Sequence, residues 1–241
     1  MKNPDIRFWF DPTCPFAWLA ARWVRTVSRH REYSVEWRFI SLRILNEDVD
    51  YNAWFPPEYE AGHTAGLRLL RVAARTRAEH GPEAVDRLYA AIGAHSFDAD
   101  PVPDEPGTDR RGTRAFLEPV LSAADLPAGL ADALDDDALD AVVRAETEEA
   151  LALTGKDVGT PIIHFEPPGG TAFFGPVISR LPAEEDAVQL WDHVVGLARF
   201  PGFAELKRSL REQPQLRGLG AEPGGTGAEE DWHAGSRRTK N

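Results

Sequence analysis

Residues 6–24 read IRFWFDPTCPFAWLAARWV, and within them the hydrophobic period changes from that of a strand to that of a helix around a single cysteine. Ile6 to Phe10 is a short run of β-branched and aromatic residues, the pattern of a buried strand. Asp11-Pro12-Thr13-Cys14-Pro15 breaks it. Pro15 stands where a helix accepts proline, at its first position, because the missing N–H has no helical partner there anyway. Phe16, Leu19, Ala20, Trp23, Val24 and Val27 then recur at helical spacing, with Arg22, Arg25 and Arg29 between them. The stretch predicts strand, tight turn and helix, with Cys14 at the helix N-terminus. A thiol in that position meets unpaired N–H groups and the positive end of the helix dipole, both of which favour thiolate. A turn between strand and helix usually faces solvent. The expectation is therefore a reactive, partly ionised Cys14, weighed against a lone cysteine packed as a small hydrophobe.

Tyr33 to Leu42 (YSVEWRFISL) alternates as a second strand, with Val35, Trp37 and Phe39 on one face. Leu67–Glu79, Pro82–Ala94, Leu117–Leu121 and Leu139–Leu153 carry apolar residues at three- and four-residue steps and predict helices. Asp98–Gly107, with three prolines and several acids, reads as an exposed loop. Asp135-Asp136-Asp137 lacks the alternating oxygen spacing of a calcium loop and reads as a solvated helix N-terminus. Pro161–Phe165 (PIIHF) and Thr171–Phe174 (TAFF), either side of Gly169-Gly170, predict a hairpin. Ala183–Phe200 is the clearest amphipathic helix, with Val188, Trp191, Val194, Val195 and Ala198 as its inner stripe. A short helix is expected over Phe203–Arg211, and the Gly-, Pro- and charge-rich stretch from Gly218 predicts disorder.

With the helical block set aside, the order βαβ then ββα is a thioredoxin arrangement. The expected fold is α/β, a thioredoxin-like fold with a large helical insertion. Residues 1–43 and 157–212 would form the thioredoxin-like domain, 44–156 the inserted helical domain, and 213–241 a disordered tail. In such folds a proline opening the third strand is cis and sits against the active cysteine. Val158-Gly159-Thr160-Pro161 supplies one here, although a proline at the first position of a strand is also permitted on structural grounds alone.

Composition bounds the function. A 42% hydrophobic content over 241 residues supports a packed core. Acidic residues outnumber basic ones 39 to 27, a net charge of −12, and a surface of that sign repels a phosphate backbone, so nucleic acid is not an expected partner. Cys14 is the only cysteine, which excludes an internal disulfide and a multi-cysteine zinc site. The seven histidines contain no His-x-x-x-His pair, so no metal is expected, and His164 reads as packed or hydrogen-bonded. Gly155-Lys156 fails as a phosphate loop because Ala150 stands where its first glycine belongs. No apolar run approaches the roughly 18 residues a membrane helix needs, and the N-terminus has no apolar leader. A cytoplasmic protein with no membrane partner is expected.

The segments FWFDPTCPFAW (Phe8 to Trp18), SLRILNED (Ser41 to Asp48), DVGTPIIHF (Asp157 to Phe165), FFGPVISRLP (Phe173 to Pro182) and PGFAELKR (Pro201 to Arg208) together resemble a DsbA-type thioredoxin-fold family. More narrowly they are similar to its actinobacterial branch of mycothiol-dependent nitroreductases and mycoredoxin-like proteins. The resemblance implies a thiol-dependent reductase with Cys14 as attacking thiol, Pro161 as the cis proline and Thr160 as the backbone partner before it. Pro15 belongs to the same motif, and Phe16 stands where the family's C-P-W-C motif has Trp and would line the pocket. Asn46 and Tyr59 match positions bordering the bound substrate, though they could equally be a helix cap and a half-buried aromatic. The motif departs from the family at its second cysteine, which is Ala17 here, so it reads Cys-Pro-Phe-Ala.

Dithiol oxidase chemistry is thereby excluded, and monothiol chemistry remains. The implied cosubstrate is mycothiol or another low-molecular-weight thiol, and the implied partner a small disulfide, electrophile or nitro-aromatic. Two alternatives stay open. One is a thiol-cofactor-dependent isomerase or transferase, like the kappa-class glutathione transferases and the hydroxychromene-carboxylate isomerases. The other is a non-catalytic module that keeps the fold and the pocket.

Overall fold

The computed structural model of the chain describes residues 3–54, 57–207, 210–222 and 229–231. Four strands form its main sheet: β1 (Ile6–Phe10), β2 (Val35–Phe39), β3 (Ile162–Phe165) and β4 (Ala172–Phe174), in the order β2-β1-β3-β4. β1 pairs parallel with β2, Phe8 opposite Trp37, and antiparallel with β3, Phe8 opposite Ile163. β3 and β4 form the expected hairpin. A parallel neighbour needs a crossover, and α1 (Pro15–His30) supplies it. Ile6, Phe8 and Phe10 enter the main core with α1, whereas Trp9 points to the opposite face, into a smaller cluster with Ile40, Ala150 and Ile162. Cover on both faces is what a strand written as a continuous apolar run requires.

Between β2 and β3 the chain builds the helical insertion: α2 (Leu42–Leu45), α3 (Tyr51–Trp54), α4 (Pro57–His80), α5 (Pro82–Gly93), α6 (Arg114–Ala123) and α7 (Asp140–Thr154). α4 begins well before the apolar periodicity at Leu67, because its first turns carry Gly62, Ala65 and Gly66 and make backbone-close contacts. The acidic run and the start of α7 fasten onto α4: Asp135, Asp136 and Asp140 pair with Arg68, Arg75 and Arg71. On the other face of the insertion's junction, buried Glu146 of α7 accepts the Phe39 N–H at 2.8 Å and pairs with Arg38 and Arg77. α8 (Glu184–Arg199) lies against α1, with the Trp23 and Trp191 rings edge-to-face at 5.4 Å and Trp23 Nε1 donating to Ala187 O at 2.8 Å.

Two expectations need correction. The helix expected over Phe203–Arg211 does not form. Phe203–Lys207 is irregular, and Leu210–Glu212 is strand β5, paired antiparallel with β6 (Glu229–Asp231). Pro201-Gly202 ends α8, and a few apolar residues cannot offset the cost of nucleating another helix. Phe203 instead packs on Phe173, ring centroids 5.5 Å apart. Residues 213–222, expected within the disordered tail, are docked. Gln215 N–H donates to Ser179 O at 2.7 Å, and Leu216 is 2% exposed in the main core. Gly218 lies so close to the π turn Ala94–Asp98 that a Cβ would fall 2.5 Å from Ser96 O. The remainder of the tail, 223–228 and 232–241, lies outside the described residues. Among the described residues no helix is long and apolar enough to cross a membrane.

Candidate active site

The carboxyl end of β1 and the start of β3 meet at one end of the sheet, and Cys14 is between them. Cys14 is the N-cap of α1, and its Sγ accepts the Ala17 N–H at 3.5 Å. The thiol in turn donates to Thr160 O at 3.4 Å. The Thr160–Pro161 bond is cis. Thr160 is stapled to the end of β1: its hydroxyl donates to Trp9 O at 3.3 Å and accepts from the Asp11 N–H at 3.4 Å. Pro161 O accepts from the Gly175 N–H at 2.8 Å, which holds the end of β4 beside it. Cys14, Pro15, Phe16, Thr160 and Pro161 are therefore brought to one place, with Pro15 and Phe16 half-buried and Cys14 buried.

The turn is built on Asp11, which is fully buried. Its carboxylate accepts from the Thr13 N–H at 2.9 Å, the Thr13 hydroxyl at 2.8 Å and the Leu42 N–H at 2.8 Å. One side chain thus fixes the cysteine loop and the start of α2. Burial pushes this carboxyl up, and the same hydrogen bonds with Arg111 nearby pull it back. Arg111, held by Asp109, also donates to Thr13 O at 3.4 Å. α4 closes the back of the loop through Gly66. Asn46 caps the C-terminus of α2 and gives its amide to Leu42 O at 2.8 Å. Tyr59 lies on α4, its ring edge-on to His63 at 5.6 Å. Asn46 is thus tied to α2, and Tyr59 to its neighbour one turn on along α4.

A sequence model of the Rv2466c-like family, described as mycothiol-dependent nitroreductase Rv2466c, matches residues 13–208, from the cysteine turn to just past α8. The chain belongs to this family. An uncharacterised protein of Mycobacterium tuberculosis, Rv2286c, is 33% identical over 203 residues, which are 84% of this chain and 81% of that one. The fold is that of the probable DsbA oxidoreductase SCO1869 from Streptomyces coelicolor, with a TM-score of 0.51 and 17% identity over 92% of this chain and 100% of that one. A 2-hydroxychromene-2-carboxylate isomerase shares it at a TM-score of 0.50 and 13% identity, over 80% of this chain and 96% of that one.

Within this Rv2466c-like frame, the expectation of an exposed, partly ionised cysteine is overturned. Cys14 is 8% exposed. Burial pushes its thiol up to about 12, and the Asp11 charge adds to the rise, while the Ala17 and Phe16 N–H groups pull against it. The helix N-terminus acts in the expected direction but is outweighed by desolvation. The parts played by Asp11, Thr13, Gly66, Arg111, Tyr51 and His63 are not marked by any motif in the sequence. A glycine and a histidine one turn apart on α4 were the available signal, and only the packing of α4 on the loop gives it meaning.

With the pKa raised, thiolate is scarce at pH 7 and each added pH unit supplies about ten times more. The rate of Cys14 alkylation by iodoacetamide should therefore climb about tenfold per unit from pH 7 through pH 10 without a plateau. A plateau below pH 9 would show that the thiol is not held in this buried setting.

Proposed function

We propose that this member of the mycothiol-dependent nitroreductase family is a monothiol oxidoreductase of the cytoplasm, in which Cys14 exchanges with mycothiol to reduce a small disulfide, electrophile or nitro-aromatic compound. The observation that carries it is the Sγ of Cys14 poised between the Ala17 N–H and Thr160 O, with alanine where a second cysteine would resolve the intermediate. In the first exchange the Cys14 sulfur bonds to one sulfur of a substrate disulfide. The other sulfur departs and takes the Cys14 proton. A mycothiol molecule then attacks the adduct, its proton passes to the leaving Cys14 sulfur, and a new small disulfide is released. With a nitro-aromatic acceptor, two mycothiols become one disulfide, and their two electrons and two protons convert nitro to nitroso and water.

The raised thiol supports a reductant rather than an oxidant. Strong thiol oxidants of this fold owe their potential to a stabilised cysteine thiolate, and here burial withholds that stabilisation. Pro15, Phe16, Thr160 and Pro161 would line the substrate side, with Asn46 and Tyr59 behind. Residues 1–43 and 157–212 would act as the catalytic domain, and 44–156 as its cover.

Intact mass after incubation with oxidised mycothiol, glutathione or bacillithiol tests the reading. One mycothiol adduct is expected on the wild type and none on Cys14→Ser, with the adduct persisting until free thiol is added. Absence of any adduct would refute the reading. The protonated state of Cys14 also supports the second reading, an isomerase or transferase that uses a bound thiol as cofactor. In that case Cys14→Ser would retain turnover with mycothiol.

A further inference from the structure

Near the part of α4 that packs on the Cys14 loop lie two buried titratable groups, one on α3 and one on α4, that the scheme above leaves unused. Tyr51 Oη and His63 Nδ1 are 2.9 Å apart, and the two side chains are 8% and 9% exposed. Gly66, one turn along α4 from His63, packs onto Asp11 and Thr13. Gly62, just before His63, lies against Asp109 and Arg111, and Arg111 reaches Thr13 O. His63 is therefore about 5 Å along the helix from the contact with the loop that carries Cys14.

The charged groups around the pair come from several elements. Arg43 of α2 lies 5.2 Å over the Tyr51 ring and pairs with Glu60 of α4 at 3.7 Å. Arg111 and Asp109 come from the segment before α6, Asp11 from the cysteine loop, and Tyr59 from α4 itself. Burial first, then Arg43 and Arg111, push the imidazole down to about 4, so it is neutral at pH 7. Burial holds the phenol of Tyr51 up at about 12, so it keeps its proton. Each guanidinium is paired with a carboxylate, Arg43 with Glu60 and Arg111 with Asp109, and a thiolate forming beside the ring would raise the ring's affinity for a proton.

We propose that Tyr51 and His63 form the subsite of the attacking low-molecular-weight thiol, with His63 as the acceptor of its proton. This rests on the monothiol reading above. The incoming thiol gives its proton to the imidazole, and its sulfur attacks the outer sulfur of the Cys14 adduct. A new small disulfide leaves, and the Cys14 sulfur takes the proton back from the imidazolium, so atoms and charges balance. In this step Cys14 is the leaving sulfur, and the attacking anionic sulfur is the cosubstrate's.

The test is resolution of the preformed glutathione adduct on Cys14 by free glutathione, followed by stopped flow from pH 6 to pH 10 in wild type, His63→Gln and Tyr51→Phe. His63→Gln should slow resolution on the order of 100-fold at pH 7, in keeping with loss of a general base. The deficit should fade towards pH 10, where the thiol ionises unaided, near its ordinary value of about 8.5. Tyr51→Phe should show a smaller deficit of the same shape, and it carries the test alone if His63→Gln melts early. A deficit that is equal at every pH, or none, overturns the inference, because a merely structural role would not track thiol ionisation. A wild type that forms no adduct with glutathione, mycothiol or bacillithiol would instead refute the monothiol reading.

Discussion

Gly66→Ala is expected to be the most damaging single-methyl change in the molecule's functional layer. A Cβ there would stand 2.5 Å from Asp11 Oδ1, 2.9 Å from Thr13 Oγ1 and 3.0 Å from Asp11 Oδ2. The carboxylate cannot swing away, because it is fully buried and held by two backbone N–H groups and a hydroxyl. α4 has little room to lift, since Gly112 already brings backbone against Ala65, with its own Cβ position 3.0 Å from Ala65 Cα. Overpacking costs about 1–3 kcal/mol, and each hydrogen bond to a charged group that is broken adds about 1.5–3 kcal/mol. The expected loss is on the order of 4 kcal/mol, a fall of about 10 °C in Tm for a chain of this size. Cys14 should alkylate faster at pH 7 in the same variant, because the loop that buries it opens. Gly129→Ala, where nothing lies within 4 Å, is the control and should melt with the wild type. A thermal melt of Gly66→Ala within about 2 °C of wild type would show that α4 is not seated on the loop.

That contact also marks how far the sequence alone could be read. Ile6–Phe10, Pro15 and the apolar spacing from Phe16 to Val27 specify β1 and α1 locally, because period and proline position are properties of neighbouring residues. The hairpin at Gly169-Gly170 and the core face of α8 are legible for the same reason. The family-like motifs marked Cys14, Thr160 and Pro161, which the fold then brings within hydrogen-bond reach although 146 residues separate Cys14 from Thr160.

What could not be read is set by contacts across the chain. Gly66 looks like an ordinary weak spot in a helix until Asp11 is placed against it. Cys14 carries every local sign of an activated thiol, yet it is packed into the core between Thr160 and the first turn of α1, and desolvation exceeds the helix-end effect. Leu216 sits in a polar, glycine-rich stretch whose average composition predicts disorder, and a single anchored side chain escapes such an average. Tyr51 and His63 are 12 residues apart, a spacing with no helical or strand meaning. Only the packing of α3 against α4 makes them partners.

Ala17→Cys is expected to change the reaction order of the site. Position 17 is three residues beyond Cys14 on α1, which places the two side chains as neighbours on one helix face. Its N–H already lies 3.5 Å from the Cys14 sulfur, and the residue is completely buried beside it. Replacing a methyl by CH₂–SH adds one sulfur at the point nearest the existing one, so an oxidised variant should lose two hydrogens in intact mass with little change in the far-UV spectrum. The larger consequence is kinetic. In the wild type an adduct on Cys14 waits for a second thiol molecule to arrive. In the variant the resolving thiol is held in place, and effective concentrations for well-oriented internal groups exceed any cellular thiol level by orders of magnitude. The adduct lifetime should fall at least about 100-fold, and resolution should become independent of added glutathione or mycothiol. The internal attack bypasses the Tyr51–His63 corner, so His63→Gln should slow resolution in the wild-type background and leave the Ala17→Cys background unchanged. If the variant stays a dithiol under diamide, position 17 does not face the Cys14 sulfur, and the assignment of Cys-Pro-Phe-Ala as a monothiol relic of a dithiol motif fails with it.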